Sequence, residues 1–185
     1  GWLQANGMRI LSLLFALGIG APLAAAEGCV DVWFTRNLIM DRAGHCFSSP
    51  LGQALFDNQN CTGQVTGISP TDQAIVAHIQ GLEAQFGCRI NTRQTGIDMP
   101  DINFRRVLED LPIRDEFEWT CIGWQGAPQP LYAARHANAR VLGELRPGEQ
   151  VNVEHYGLPE VPGWTYALVY GRDFGTLRSA GWLFW

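Results

Sequence analysis

"RNLIMDRAGHCF", residues Arg36 to Phe47, gathers Arg36, Asn37, Asp41, Arg42, His45 and Cys46 into one short stretch. It reads either as a catalytic cluster or as a helix that ends in a disulfide. His45 and Cys46 are adjacent, so on an extended backbone their side chains point to opposite sides, a poor start for a thiolate–imidazole dyad. The helix is the better reading. Asp31 is a candidate N-cap, Trp33, Asn37 and Met40 recur at helical spacing beside Phe34, Leu38 and Asp41, and Gly44 stands where a left-handed residue closes a helix.

Two further helices follow. In "SSPLGQALFDN" Ser49 caps, Pro50 occupies the first turn, and Leu51 and Leu55 share a face. In "SPTDQAIVAHIQGLEAQFGC" Ser69 caps, Asp72 complements the dipole, Ile75, Ile79, Leu82 and Phe86 form one stripe, and Gly87 ends it. "DINFRRVLEDLP" predicts a short helix with Phe104, Val107, Leu108 and Leu111 on one side, stopped by Pro112. Beyond it the period changes. "EWTCIGW", "PLYAAR", "RVLGELRPGEQVNVEHY", "GWTYALVY" and "SAGWLF" are short apolar runs parted by Gly and Pro, the pattern of strands and turns. In "GWTYALVY", Ala167 and Val169 face one core, and Trp164, Tyr166, Leu168 and Tyr170 face away from it. That second face needs a cover: the helical part, the "HYGLPEVPG" insert, or a partner.

Composition sets the compartment. Met8 and Arg9 precede the apolar run "ILSLLFALGIGAPL" and Ala24–Ala26, the layout of a signal peptide cleaved after Ala26. The run falls short of the about 20 residues a membrane span needs. A lipoprotein start at Cys29 is the alternative, disfavoured by Glu27. The chain has no Lys, and its formal charge of −5 gives no basic footprint for nucleic acid or anionic membrane. The expectation is a periplasmic or secreted protein with no membrane contact once the signal is removed.

"WFTRNLIMDRAGHCF" resembles the signature of the YARHG family of bacterial extracellular domains. Arg36, Asn37, Ile39, Arg42 and Gly44 match, whereas Met40, Asp41 and Ala43 replace its Tyr, Ala and His. The resemblance covers about residues 29 to 88 and implies a small helical envelope domain of unknown activity. Residues 128–185 resemble a bacterial SH3-like domain through Val141, Gly143, Leu145, Gly148, Val151, Val153, Gly163, Trp164, Gly181, Trp182 and Leu183. The insert and "EWTCIGW" suggest a decorated version from an uncharacterised family often found after YARHG-type units. SH3-like folds of this kind are commonly linked to cell-wall binding, so the resemblance implies an envelope ligand.

The expected organisation is therefore α+β: leader and signal peptide over 1–26, a disulfide-stapled helical domain over 27–98, a bridge over 99–116 and an SH3-like antiparallel β-barrel over 117–185. Four cysteines permit three pairings. The expected one is Cys46–Cys61, closing the short loop, with Cys29–Cys88 tying the ends of the helical domain, each contributing on the order of 2–4 kcal/mol. Cys121 is then a free thiol. No cysteine pair has zinc-knuckle spacing, and neither a metal nor a cofactor is expected. Glu109–Asp110 and Asp115–Glu116 are adjacent pairs rather than carboxylates set across a cleft, His78 reads as helix rim or core rather than ligand, and His136 and His155 read as turn residues without a motif. No hydrolase, P-loop or dinucleotide motif is present. The function expected is a non-catalytic exported binding module contacting peptidoglycan or an envelope protein, with Trp164, Tyr166 and Tyr170 as its candidate binding face. The alternatives are a small wall hydrolase and a structural partner joined through a mixed disulfide at Cys121.

Overall fold

A computed structural model describes residues 23–185, with side chains from Glu27 onward. Of the expected leader and signal peptide over 1–26, residues 1–22 lie outside the described residues, and residues 23–26 enter only as the first residues of a helix.

That helix, α1 (Leu23–Arg42), is central to the helical part. Val32, Trp33, Phe34, Thr35, Asn37, Leu38 and Ile39 are all buried, so it is covered on most sides. Asp31 is not its cap but an interior residue nine positions along. The helix closes as its glycine requires: Gly44 has φ +94°, and the His45 amide donates to the Met40 carbonyl at 3.0 Å. A methyl group on Gly44 would meet Thr62 Oγ1 at 2.6 Å. Two helices follow, α2 (Pro50–Leu55) and α3 (Pro70–Gln85), each capped by a serine hydroxyl, Ser49 on Gly52 and Ser69 on Asp72. Along the α3 stripe Ile75 and Ile79 are buried, Leu82 is half-buried and Phe86 is 43% exposed, because the stripe runs off the edge of the core into a groove.

The helix α4 is a single turn, Ile102–Arg105. The chain then forms six strands: β1 (Ile113–Cys121), β2 (Gln129–Tyr132), β3 (Val141–Leu145), β4 (Gln150–Tyr156), β5 (Trp164–Tyr170) and β6 (Leu177–Phe184). They make one antiparallel sheet in the order β1-β4-β5-β6-β2-β3. The α+β architecture holds, but the sheet does not close into a barrel. β1 and β3 form no ladder with each other. The segment after β1 stands there instead: the Trp124 amide donates to the Glu149 carbonyl at 2.8 Å, the Gly148 amide donates to Trp124 at 2.7 Å, and the Trp124 ring packs on the small core of Leu131, Leu145, Val151 and Leu183. β1 also begins within the stretch expected to be a linker.

The two faces of β5 separate as alternation demands. Ala167 and Val169 join the small core. Tyr166 and Leu168, with Trp182 and Ala180 opposite them on β6, join the larger core built on α1, α2 and α3. The helical part is thus the cover for the second face of the sheet, and the two halves share one core.

Candidate functional site

The junction of the halves holds a buried cluster of charge. Arg105, wholly buried, donates Nε to Asp101 at 2.7 Å and both Nη atoms to Asp31 at 2.9 and 2.5 Å, and Nη1 also donates to Thr35 at 3.0 Å. The Tyr166 hydroxyl donates to Asp101 at 3.0 Å, and Arg105 lies over its ring at 5.6 Å. His155 Nε2 lies 2.8 Å from Asp31 Oδ2, while its Nδ1 is buried without a partner. Burial would raise the Asp31 pKa, but the charges of Arg105 and His155 and their hydrogen bonds outweigh it and hold the carboxyl well below the usual carboxylate range. Burial works against the Arg105 cation as well, yet Asp101 and Asp31 push its pKa well above the ordinary value. Burial, then Asp101, pushes the Tyr166 hydroxyl well up, so it stays a donor. Two carboxylates on one guanidinium, shielded from water, form a lock between segments rather than a site open to a ligand.

His155 reaches this cluster through a bulge. Val153 pairs with Ala167 and His155 with Tyr166, so β4 advances two residues while β5 advances one. The extra residue turns His155 from the small core toward the helices. His155 is therefore a strand residue and not the turn residue its sequence surroundings suggested. Its phase with Val151 and Val153 in "VNVEH" was the available signal for burial.

Beside the junction, α3 and β1 bound a groove of about 690 Å³. Val32, Leu82, Phe86 and Leu158 supply its apolar floor, and Asp115, Glu116, Glu118 and Glu160 stand round it. The acidic wall also comes from a ladder irregularity. Between Arg114 and Trp119 β1 advances five residues, while β4 advances two from His155 to Val153, so Asp115 to Glu118 loop out. Arg114 is held by Glu154 at 3.0 Å, and His78 meets the Tyr156 hydroxyl at 2.6 Å across the groove. Burial pushes the Tyr156 hydroxyl up, with Asp115 and Glu160 adding to it. Leu158 belongs to the insert, which Arg135 fastens by donating to the Leu158 and Pro159 carbonyls while stacking on Trp182 at 5.1 Å.

The candidate binding face does not form as expected. Tyr166 is fully buried and bonded to Asp101, because the helical half covers it. Trp164 and Tyr170 are half-buried at the margins of the same core. An exposed group of tryptophans lies elsewhere: Trp119 and Trp185 are 46% and 45% exposed with centroids 5.5 Å apart, and Trp124 is 5.8 Å from Trp185.

Cys46 is bonded to Cys61 and Cys29 to Cys88, which leaves the half-buried Cys121 as a free thiol. The Cys46 sulfur is thereby withdrawn from any dyad with His45, whose ring packs edge-on against Phe47 at 4.6 Å. Among the described residues no cluster of three His, Cys, Asp or Glu side chains is placed to hold a metal, and no helix is long and apolar enough to cross a membrane.

Fold, disulfides and junction together define a two-segment α+β module suited to an oxidising compartment. Residues 10–84 match the YARHG domain. Residues 87–185, more than half of the chain, match the domain of unknown function DUF4453, and the chain belongs to that family. Its matched region starts directly after α3, so the stretch expected as a bridge falls inside it. None of the curated proteins and none of the solved structures matches the chain.

Proposed function

We propose that the protein is an exported, non-catalytic binding module of the bacterial envelope, periplasmic or secreted, and that the groove between α3 and β1 receives its partner. The groove carries this reading: an apolar floor with convergent polar groups, of a size typical of ligand sites, set between α3, which the Cys29–Cys88 bond just past its end ties to α1, and β1, which pairs with the strand carrying His155 into the junction lock. An envelope protein is the partner class we favour, with peptidoglycan the competing one. Neither nucleic acid nor the lipid surface is a partner on this reading, since the wall of the groove is acidic.

A second reading has an observation of its own. The exposed rings of Trp119 and Trp185, with Trp124 beside them, offer flat apolar faces of the kind on which sugars stack.

Purified, oxidised protein incubated separately with peptidoglycan sacculi and with solubilised envelope proteins tests both. Retention should fall in a Phe86→Gln/Leu158→Gln variant that still melts like the parent. Loss of sacculus retention in Trp119→Ala/Trp185→Ala alone would shift the binding face to the tryptophans. Release of soluble wall fragments would refute the non-catalytic assignment.

A further inference from the structure

The charge around the groove exceeds anything its apolar floor requires. Asp115 and Glu118 have internal work: Asp115 accepts from the Glu116 and Phe117 amides, and Glu118 accepts from Asn152. Glu116 and Glu160 do not. Both are exposed at the groove, and among the described residues neither is in an ion pair. The one guanidinium lining the groove, Arg114, is neutralised by Glu154. The result is a concave apolar surface under a field of one sign, which repels anions and concentrates cations.

We infer that the occupant of the groove is an extended segment of a partner protein in which arginine or lysine alternates with apolar side chains. This deepens the reading of the groove as the binding face and rests on it. Alternation suits the geometry, because successive side chains of an extended strand point to opposite sides: apolar ones reach Leu82, Phe86 and Leu158, and cationic ones reach Glu116 and Glu160. A polyamine would satisfy the carboxylates and leave the floor wet. A neutral glycan would leave the carboxylates without counter-charge.

Isothermal titration of the full oxidised chain tests this with four probes: a capped six-residue peptide alternating leucine and arginine, the same peptide with glutamine or with glutamate in place of arginine, and spermidine. The arginine peptide should bind, more weakly as salt rises, with the glutamine peptide at least about tenfold weaker and the glutamate peptide silent. Glu116→Lys/Glu160→Lys should weaken the arginine peptide about tenfold or more without shifting the melting temperature. Equal binding of the glutamine peptide, indifference to the double charge reversal, or no binding of the arginine peptide would overturn the inference. So would spermidine matching the arginine peptide. If any of these occurs while Phe86→Gln/Leu158→Gln still abolishes envelope retention, the occupant is wrong and the groove stands. If that variant retains partners normally, the groove itself falls.

Discussion

Arg105 and Asp31, 74 residues apart in the chain, meet through two guanidinium–carboxylate hydrogen bonds at the centre of the junction, with no part of the arginine side chain exposed to solvent. Asp101 takes the remaining Nε, so the cation is balanced only when α1 meets α4, and Tyr166 on β5 and His155 on β4 bond the same two carboxylates. Folding of the helical half and of the sheet should therefore be one event.

Arg105→Met should cost about 3–5 kcal/mol, because it leaves Asp31 and Asp101 buried without their counter-charge. Urea unfolding followed by tryptophan fluorescence and by far-ultraviolet circular dichroism should give coincident transitions in the parent protein. Two separated transitions would show that the halves are independent.

Asp31 also sets the response to acid. Its folded pKa lies below the ordinary 3.8, so its contribution is fully present above that value and is lost as the pH falls from there toward the folded pKa. Melting temperature should therefore drop as the pH falls below about 4. In Asp31→Asn the protein should be less stable at neutral pH, with the gap to the parent narrowing as acid is added. A gap that stays constant would contradict the assignment.

Trp182 and Trp185 are three residues apart and should behave oppositely. Trp182 is fully buried, and its indole donates to the Asp110 carbonyl at 2.8 Å, so Trp182→Ala should destabilise by about 3–5 kcal/mol. Trp185 is half-exposed, and Trp185→Ala should cost under about 1 kcal/mol. Equal shifts in denaturant midpoint would sink this contrast.

Thiol titration in denaturant without reductant should find one reactive cysteine per chain, Cys121, in monomeric protein. Replacing Cys29 and Cys88 by serine should lower stability by about 2–5 kcal/mol, since that bond closes the longer loop of the two. A covalent dimer with no free thiol would instead favour a mixed-disulfide role for Cys121.

Much of the architecture was legible because local signals agreed. Ser49 and Ser69 with the prolines after them fixed two helix starts, and the alternation in "WTYALVY" separated the two faces of β5 correctly. The errors fall where tertiary context overrides local pattern. Asp31 has the chemistry of a cap, yet the helix already runs from Leu23, and its distant partners Arg105 and His155 account for its burial. Tyr166 lies on the expected side of its strand but in a different environment, because nothing local announces that Asp101 and Arg105 of the α4 turn meet its hydroxyl and ring. The groove depends on residues looped out of β1, and a bulge of that kind leaves no periodic trace.

Asp31 and Thr35 lie in the stretch that matches one family, and Asp101, Arg105, His155 and Tyr166 lie in the stretch that matches the other. A recombinant gene joining either stretch to a stranger would strand a guanidinium or a carboxylate away from water. The two coding regions can therefore be exchanged as a pair, but neither can be traded singly without redesign of the surface where they meet.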